Sequence, residues 1–352
     1  MPITLTINDQ RVVAPEEVTI LEAARGAGIR IPTLCHHPDL ANVGACRLCV
    51  VTVEKAKGLQ TACTTPVFEG MVVHTESQEA RDTRRFVLEM LLSDHPNECM
   101  KCEANGDCEL QDLVYEYDVP WPTGEGRRHS YAINPDPNPF IFIDRNKCIV
   151  CTRCVRACSE IPSRDVWDVA GRGFDSKLVA GADQDLLDAD CELCGNCVQV
   201  CPTGALWPKK SLGKGRLNQT HKVRTTCPYC GVGCQLELFV NGDEIVRVNG
   251  VAGAEPNRGF TCVKGRFGYD FIYSQERLTT PLIREGDLFR EASWDEALDL
   301  VAGKFKQIIG ESGGDAIAGV SCARSTNEDS YNMQKLFRAV LGTNNIDHCA
   351  RT

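Results

Sequence analysis

Apolar and polar residues alternate through the opening MPITLTINDQRVVAPEEVTI, the period-2 pattern of a strand pair. A helix is expected from Ile20 to Ala27 with a stop at Gly28, so residues 1–78 read as short strands around one helix. The pattern then turns helical. From Gln78 to Ser93 an amphipathic helix is predicted to carry Phe86, Val87, Met90 and Leu91 toward one side, within a second unit ending near residue 118. Residues 119–139 are rich in Pro and Gly and read as an extended linker. A compact two-motif unit follows at 140–208. The basic run PKKSLGKGRLNQTHK, a solvated linker at 209–222, leads into a unit at 223–278. Residues 279–352 have the pattern of the start of an α/β domain. Ser293 with Glu296 makes a capping box, a second helix opens at 327–330 and stops near Gly342, and DAIAGVSCA between them reads as a buried strand. The fold class expected is multidomain α+β.

Composition adds one fact that the pattern does not carry: the chain of 352 residues has 21 cysteines. Such density means either a disulfide scaffold or thiolate metal sites, and compartment separates the two. The opening has neither a basic n-region nor an apolar h-region, and no run approaches the roughly 18 apolar residues needed to span a bilayer. A cytoplasmic chain without membrane insertion is therefore expected, with metal sites rather than disulfides. The formal net charge of −10 argues against a nucleic-acid partner, which would require concentrated positive charge.

The spacing of the cysteines carries the chemistry. Cys148, Cys151, Cys154 and Cys158 are followed by Cys191, Cys194, Cys197, Cys201 and Pro202. Two residues between successive cysteines let one tight loop reach three corners of a cubane, while the fourth cysteine crosses to the other cluster. This groups Cys148, Cys151, Cys154 and Cys201 on one [4Fe–4S] cluster, and Cys191, Cys194, Cys197 and Cys158 on another. Four thiolates also satisfy tetrahedral zinc, the alternative at each site. Cys35, Cys46, Cys49 and Cys63 form a binuclear-type set in which a long loop wraps a [2Fe–2S] cluster, although the first gap is wider than in plant-type ferredoxins. Cys99, Cys102 and Cys108 lack a fourth thiolate, and His95 is the candidate to complete a third [4Fe–4S] site, against a capping or solvated histidine. Cys227, Cys230, Cys234 and Cys262 make a fourth, with Gly231 and Gly233 allowing a tight backbone; a zinc ribbon is its alternative. Cys322 and Cys349 fall outside these sets, in apolar stretches, and read as core residues. The inventory is one [2Fe–2S] and four [4Fe–4S] clusters.

The motifs CHHPDLANVGACRLC with Cys63, HPNECMKCEANGDC, CIVCTRCVRAC and CELCGNCVQVCP resemble the iron–sulfur half shared by the large G-type chain of respiratory complex I, [FeFe]-hydrogenases and NAD-linked formate dehydrogenase large subunits. CPYCGVGC with NRGFTCVKGRFGYDF resembles the cluster domain of molybdenum or tungsten bis-pterin oxidoreductases, and SCARSTNEDSYNMQKLFRAVLGTNNIDHCART is similar to the formate dehydrogenase version. The resemblance implies the front part of an NAD(P)-dependent formate dehydrogenase alpha subunit, with a β-grasp ferredoxin-like first domain. It implies a Mo- or W-bis(pterin guanine dinucleotide) in the complete enzyme. It also implies a flavin- and NAD(P)-binding diaphorase-type partner and a small [2Fe–2S] subunit. Electrons would leave the pterin site through the Cys227–Cys262 cluster, the ferredoxin pair, the His95 cluster and the binuclear site. No Rossmann fingerprint follows a strand, so nicotinamide binding belongs to a partner. Lys264 matches the lysine between the nearest cluster and the pterin, its alternative being a surface lysine. In the family the catalytic cysteine or selenocysteine follows the position of Thr352. The end at Thr352 is thus expected to be a selenocysteine UGA codon read as stop, and the chain as written an electron-transfer fragment inactive with formate. A stand-alone multi-cluster electron carrier, a nitrate reductase-like pterin enzyme and a chain like the G subunit of complex I are the rival readings, the last resembling this chain less because the second ferredoxin motif at Cys191–Cys201 is not part of its usual pattern.

Overall fold

The opening alternation folds as β1 (Ile3–Ile7) and β2 (Gln10–Ala14), antiparallel with Leu5 facing Val12, in the computed structural model, which describes residues 2–122, 127–323 and 325–349. Leu5, Ile7, Val12 and Ala14 point into the core, as a period of 2 requires. β3 (Val50–Val53), β4 (Gln60–Thr61) and β5 (Val72–His74) complete a mixed sheet of order β2-β1-β5-β3-β4, with β1 and β5 parallel. Against it lies α1 (Ile20–Gly26). Thr19 begins this helix in a capping box with Glu22, and Gly28 ends it at φ +74°, where a side chain would be strained. Ile20, Leu21 and Ala24 join the core that also holds Cys49 and Cys63.

The next helix, α2 (Gln78–Asp94), buries a different face from the one its apolar residues suggested. Ala80, Arg84, Leu88 and Leu92 are buried, while Phe86 and Met90 are exposed. The reason is Arg84. Its guanidinium donates to the carbonyls of Leu48, Val50 and Thr75 at 3.1, 2.7 and 2.8 Å and to the Tyr117 hydroxyl at 2.9 Å, so the helix turns this residue inward. Leu88 and Leu92 then share a core with Leu110 and Leu113 of α3 (Glu109–Glu116).

In the two-motif region, β6 (Ile141–Ile143) pairs antiparallel with β9 (Leu206–Pro208). Between them lie α4 (Arg153–Glu160), the hairpin β7 (Trp167–Ala170) and β8 (Lys177–Ala180), and the short α5 (Asn196–Gln199). Two residues of the Pro-rich stretch before β6 are buried anchors. Asp136 accepts from the Leu186 amide at 2.8 Å, and Asn138 accepts from the Ile141 amide at 2.6 Å. β10 (His221–Thr226) is exposed throughout, and β11 (Gln235–Asn241) turns at Gly242 into β12 (Glu244–Gly250). The chain divides into two units, Met1–Val223 with Leu238–Asn249, and Arg224–Glu237 with Gly250–Thr352.

In the second unit, α6 (Val263–Phe267) follows Cys262, and β13 (Leu282–Glu285) forms an antiparallel hairpin with β14 (Leu288–Glu291). α7 (Trp294–Ser312) starts at Ser293, whose hydroxyl accepts from the Glu296 amide at 3.2 Å. Only this half of the expected capping box forms, because the Glu296 carboxylate is taken by Arg290 at 2.5 Å. β15 (Gly319–Ser321) pairs parallel with β16 (Ile346–His348). α8 (Asn327–Lys335) runs on through a π-helical stretch, Leu336–Leu341, to Gly342 at φ +72°. The expectation of a buried strand is corrected here. One face of β15 packs so tightly that a Cβ on Gly319 would meet the Phe337 ring at 2.4 Å, but Val320 on the other face is 80% exposed. Cys322 and Cys349 are corrected likewise: both are exposed, with their sulfurs 3.9 Å apart.

Candidate metal centres

The two ferredoxin-type loops are copies of one another in backbone as well as in sequence. In Cys148–Cys154, Val150 and Thr152 take left-handed conformations, at φ +50° and +59°. In Cys191–Cys197, Leu193 and Gly195 do the same, at φ +52° and +74°. A β-branched residue there costs on the order of 1–3 kcal/mol and persists only where the surroundings enforce it. What the turn achieves is visible: the Val150 amide donates to the Cys148 sulfur at 3.4 Å, and the Leu193 amide to the Cys191 sulfur at 3.3 Å. Such donors stabilise anionic sulfur.

Cys148, Cys151, Cys154 and Cys201 line one small cavity, together with Ile149, Leu178 and Leu206. Burial first, and then the neighbouring thiols, pushes Cys151 up to about 12 and Cys154 well above the ordinary thiol range. The neighbours that raise Cys197, after its own burial, are Cys194, Cys191 and Cys158, so those four form the other group. Buried thiols held this high are neutral unless a metal displaces their protons, and binding then releases those protons.

His95 is the C-cap of α2, and it lines a second small cavity together with Cys99, Cys102 and Cys108. Burial, then the Lys147 charge, holds the imidazole down to about 4, so at neutral pH it is in the neutral form a ligand requires. Its buried Nδ1 has no hydrogen-bond partner among the described residues. Gly204 closes the far side, and a Cβ there would lie 2.8 Å from the Cys102 sulfur. An unpartnered imidazole nitrogen, three sulfurs and a wall that tolerates no side chain suit a cluster. Pro202, next to Cys201, ties the two cavities together by accepting from the Glu109 amide at 3.0 Å and the Cys108 thiol at 3.7 Å.

The binuclear-type set is closer packed. The Cys46 amide donates to the Cys35 sulfur at 3.4 Å, the Leu34 amide to the Cys46 sulfur at 3.4 Å, and the Cys49 and Cys63 sulfurs are 3.3 Å apart. Two pairs, Cys35 with Cys46 and Cys49 with Cys63, fit two irons with two thiolates each. Mutual hydrogen bonding drives Cys35 down and Cys63 up, as one proton shared among adjacent sulfurs requires.

In the second unit the Cys227 amide donates to the Cys234 carbonyl at 2.8 Å, bending the loop between them. Cys227 is buried, Cys234 partly so, and Cys230 and Cys262 exposed; after burial, the charges of Cys227, Cys230 and Cys262 raise Cys234, which puts the four side by side. A Cβ at Gly265 would touch the Cys227 sulfur at 3.5 Å, and one at Gly268 would lie 2.6 Å from the Tyr229 hydroxyl. Lys264 lies on α6, two residues past Cys262. Thr352, after which the family places its catalytic residue, lies outside the described residues. Among the described residues no three His, Cys, Asp or Glu side chains close on single-ion geometry. Gly204, Lys147 and the buried Arg84, Arg153 and Arg156 were not singled out from sequence. Their proximity to ligands is evident only in the fold, although both arginines of CTRCVRAC stand inside a cysteine motif.

Comparison with known families matches five segments of the chain. Residues 1–78 match a 2Fe-2S iron–sulfur cluster binding domain, 84–120 the NADH-ubiquinone oxidoreductase-G iron–sulfur binding region, and 138–207 the ferredoxin-like domain of NADH-quinone oxidoreductase subunit 3. Residues 220–274 match the molybdopterin oxidoreductase Fe4S4 domain and 277–352 the molybdopterin oxidoreductase domain. The second G-type NADH-quinone oxidoreductase chain of Rhizobium meliloti is 39% identical over 99% of this chain and 40% of its own length. The NADPH-Fe(3+) oxidoreductase alpha subunit of Geobacter sulfurreducens is 37% identical over 99% and 40%. A Staphylococcus aureus protein with a provisional formate dehydrogenase name is 30% identical over 99% and 39%. The chain thus spans about 40% of the length of these relatives. A chain in the crystal structure of an NAD+-reducing [NiFe]-hydrogenase is 34% identical, with a TM-score of 0.56, over 61% of this chain and 91% of that one.

Proposed function

Because the chain belongs to the family of molybdopterin oxidoreductases and G-type NADH-quinone oxidoreductase chains and is its iron–sulfur electron-transfer part, we propose that it is a five-cluster relay between a pterin-bound Mo or W centre and a flavin- and NAD(P)-binding partner subunit. The observation that carries this reading is that cavities are ringed by complete four-ligand sets, one of them with a neutral, unpartnered imidazole. Cys35, Cys46, Cys49 and Cys63 would hold the binuclear cluster. His95 with Cys99, Cys102 and Cys108 would hold one tetranuclear cluster, and the two ferredoxin sets and Cys227, Cys230, Cys234 and Cys262 the other three. The clusters, when bound, supply one-electron transfer; the protein supplies spacing, burial and hydrogen bonds that set potential. Its left-handed loops aim amides at the thiolates, and its apolar walls exclude water.

The substrate we favour for the complete enzyme is formate, which gives CO2, one proton and two electrons. The Asn344–Thr352 stretch and the provisionally named Staphylococcus relative support it. Lys264 would stand between the Cys262 cluster and the pterin. A second reading is favoured by the more similar relatives named for NADH and NADPH oxidation, in which reducing equivalents enter from the nicotinamide and leave to another acceptor. The full-length protein, purified with its partner subunits, distinguishes them. Formate-dependent reduction of a viologen dye supports the first; NAD(P)H-dependent reduction of ferric citrate with no formate turnover overturns it in favour of the second. We place the relay in the cytoplasm beside its nicotinamide-binding partner; no described helix is long and apolar enough to cross a membrane.

A further inference from the structure

Arg156 stands on α4, two residues beyond Cys154, and it is 8% exposed. A buried guanidinium ordinarily needs a carboxylate, because an uncompensated charge in the interior costs several kcal/mol. Among the described residues Arg156 makes no ion pair. Its partners are carbonyls: Ala41 at 2.6 Å, Cys35 at 2.5 Å and Cys151 at 3.3 Å. Its Nε is buried with no hydrogen-bond partner. One turn further on, Glu160 accepts from the Ala41 amide at 2.8 Å, so α4 grips both polar groups of that residue in the long Cys35–Cys46 loop. The same guanidinium nitrogen, Nη2, therefore touches the backbone of a ligand of the binuclear set and of a ligand of the first ferredoxin-type set.

We propose that Arg156 is a positioning residue shared by two clusters, its cationic fork fixing the Cys35 and Cys151 backbones together and setting both reduction potentials at once. The inference rests on the cluster assignments above and concerns this residue alone. Each cluster ligated by four thiolates carries net negative charge, which gives the buried cation the counter-charge that the carbonyls supply only in part. Reduction adds a further negative charge to either cluster, and a fixed cation at both favours it; removing the cation must lower both potentials. At buried separations, with an effective dielectric constant of about 20, the loss is on the order of tenfold in the reduced-to-oxidised ratio at a fixed potential. Donors to ligand carbonyls act in the same direction.

The test is redox titration, followed by electron paramagnetic resonance, of the iron-loaded full-length protein and its R156K and R156Q variants, with iron and sulfide measured on each. In R156Q the binuclear signal and the signal of the Cys148–Cys201 cluster should shift together to lower potential, by about tenfold in reduced fraction, while the Cys191–Cys158 cluster stays put. R156K, which keeps the charge and loses the fork, should recover most of both shifts. If R156Q fails to hold iron, loss of those two signals with survival of the third supports the same conclusion. A shift or loss confined to one of the pair, equal shifts in all clusters, or no shift overturns it. A wild-type protein with no binuclear signal would overturn the cluster assignments themselves, which the iron and sulfide analysis detects separately.

Discussion

Replacing Arg84 by Met tests how far the binuclear loop depends on a single buried cation. Met matches the aliphatic stem and loses only the guanidinium, so the packing change is small. Arg84 is fully buried, and the change leaves the carbonyls of Leu48, Val50 and Thr75 without this donor; the first two flank Cys49. A buried acceptor left unmatched costs about 1–3 kcal/mol. The pair with Glu76 adds little, since that carboxylate is half-exposed. With some relaxation, the expected loss is about 3–5 kcal/mol, the range for breaking one side of a buried charge network. The assay is native-state hydrogen exchange of the segment containing Cys46–Val53, with the binuclear resonance recorded on the same sample. A loss of about 3 kcal/mol speeds exchange there roughly a hundredfold and leaves the ferredoxin loops unaffected. A change of less than about threefold, with an unaltered resonance, would refute the reasoning.

The remaining expectations concern individual ligands and one wall. H95A should lose about four iron per chain, or fall to a three-iron cluster, while H95C should keep the iron at a lower potential because thiolate replaces neutral imidazole; iron analysis with spectroelectrochemistry checks both. G204A should displace the Cys102 sulfur, which a Cβ would approach to 2.8 Å, and lower occupancy of the His95 cluster severalfold while the Cys191 set is unchanged. C201S should abolish the signal of the Cys148 cluster and C158S that of the Cys191 cluster; the reverse pattern, read by resonance at low temperature, would disprove the crossed grouping.

Cysteine spacing told most about the sites because a ligand loop is local: three residues per step and a left-handed turn at Val150 or Leu193 determine where the sulfurs go. The crossed grouping of Cys158 and Cys201 rests on the same spacing: Cys158 lies within α4 and Cys201 just past α5, each helix starting in its own cysteine loop. What the sequence hid was non-local. Hydrophobicity ranks Phe86 and Met90 above Arg84, yet the carbonyls on either side of Cys49, that of Leu48 lying 36 residues back in the chain, draw Arg84 inward and leave both apolar residues exposed. Glu296 matched a capping pattern that Arg290, on the preceding hairpin, disrupts. Cys322 and Cys349 sit in apolar sequence, but each follows the last residue of its strand, β15 or β16, and is exposed. Gly204 gave no local signal at all; only the approach of Cys102 from about a hundred residues away explains it.

The most direct test of the relay is quantitative: iron, acid-labile sulfide and zinc per chain in anaerobically purified, reconstituted protein. One binuclear and four tetranuclear sites predict about 18 iron and as many sulfides, with negligible zinc. Zinc at one or more equivalents per four-ligand set, with little iron or sulfide, would contradict it.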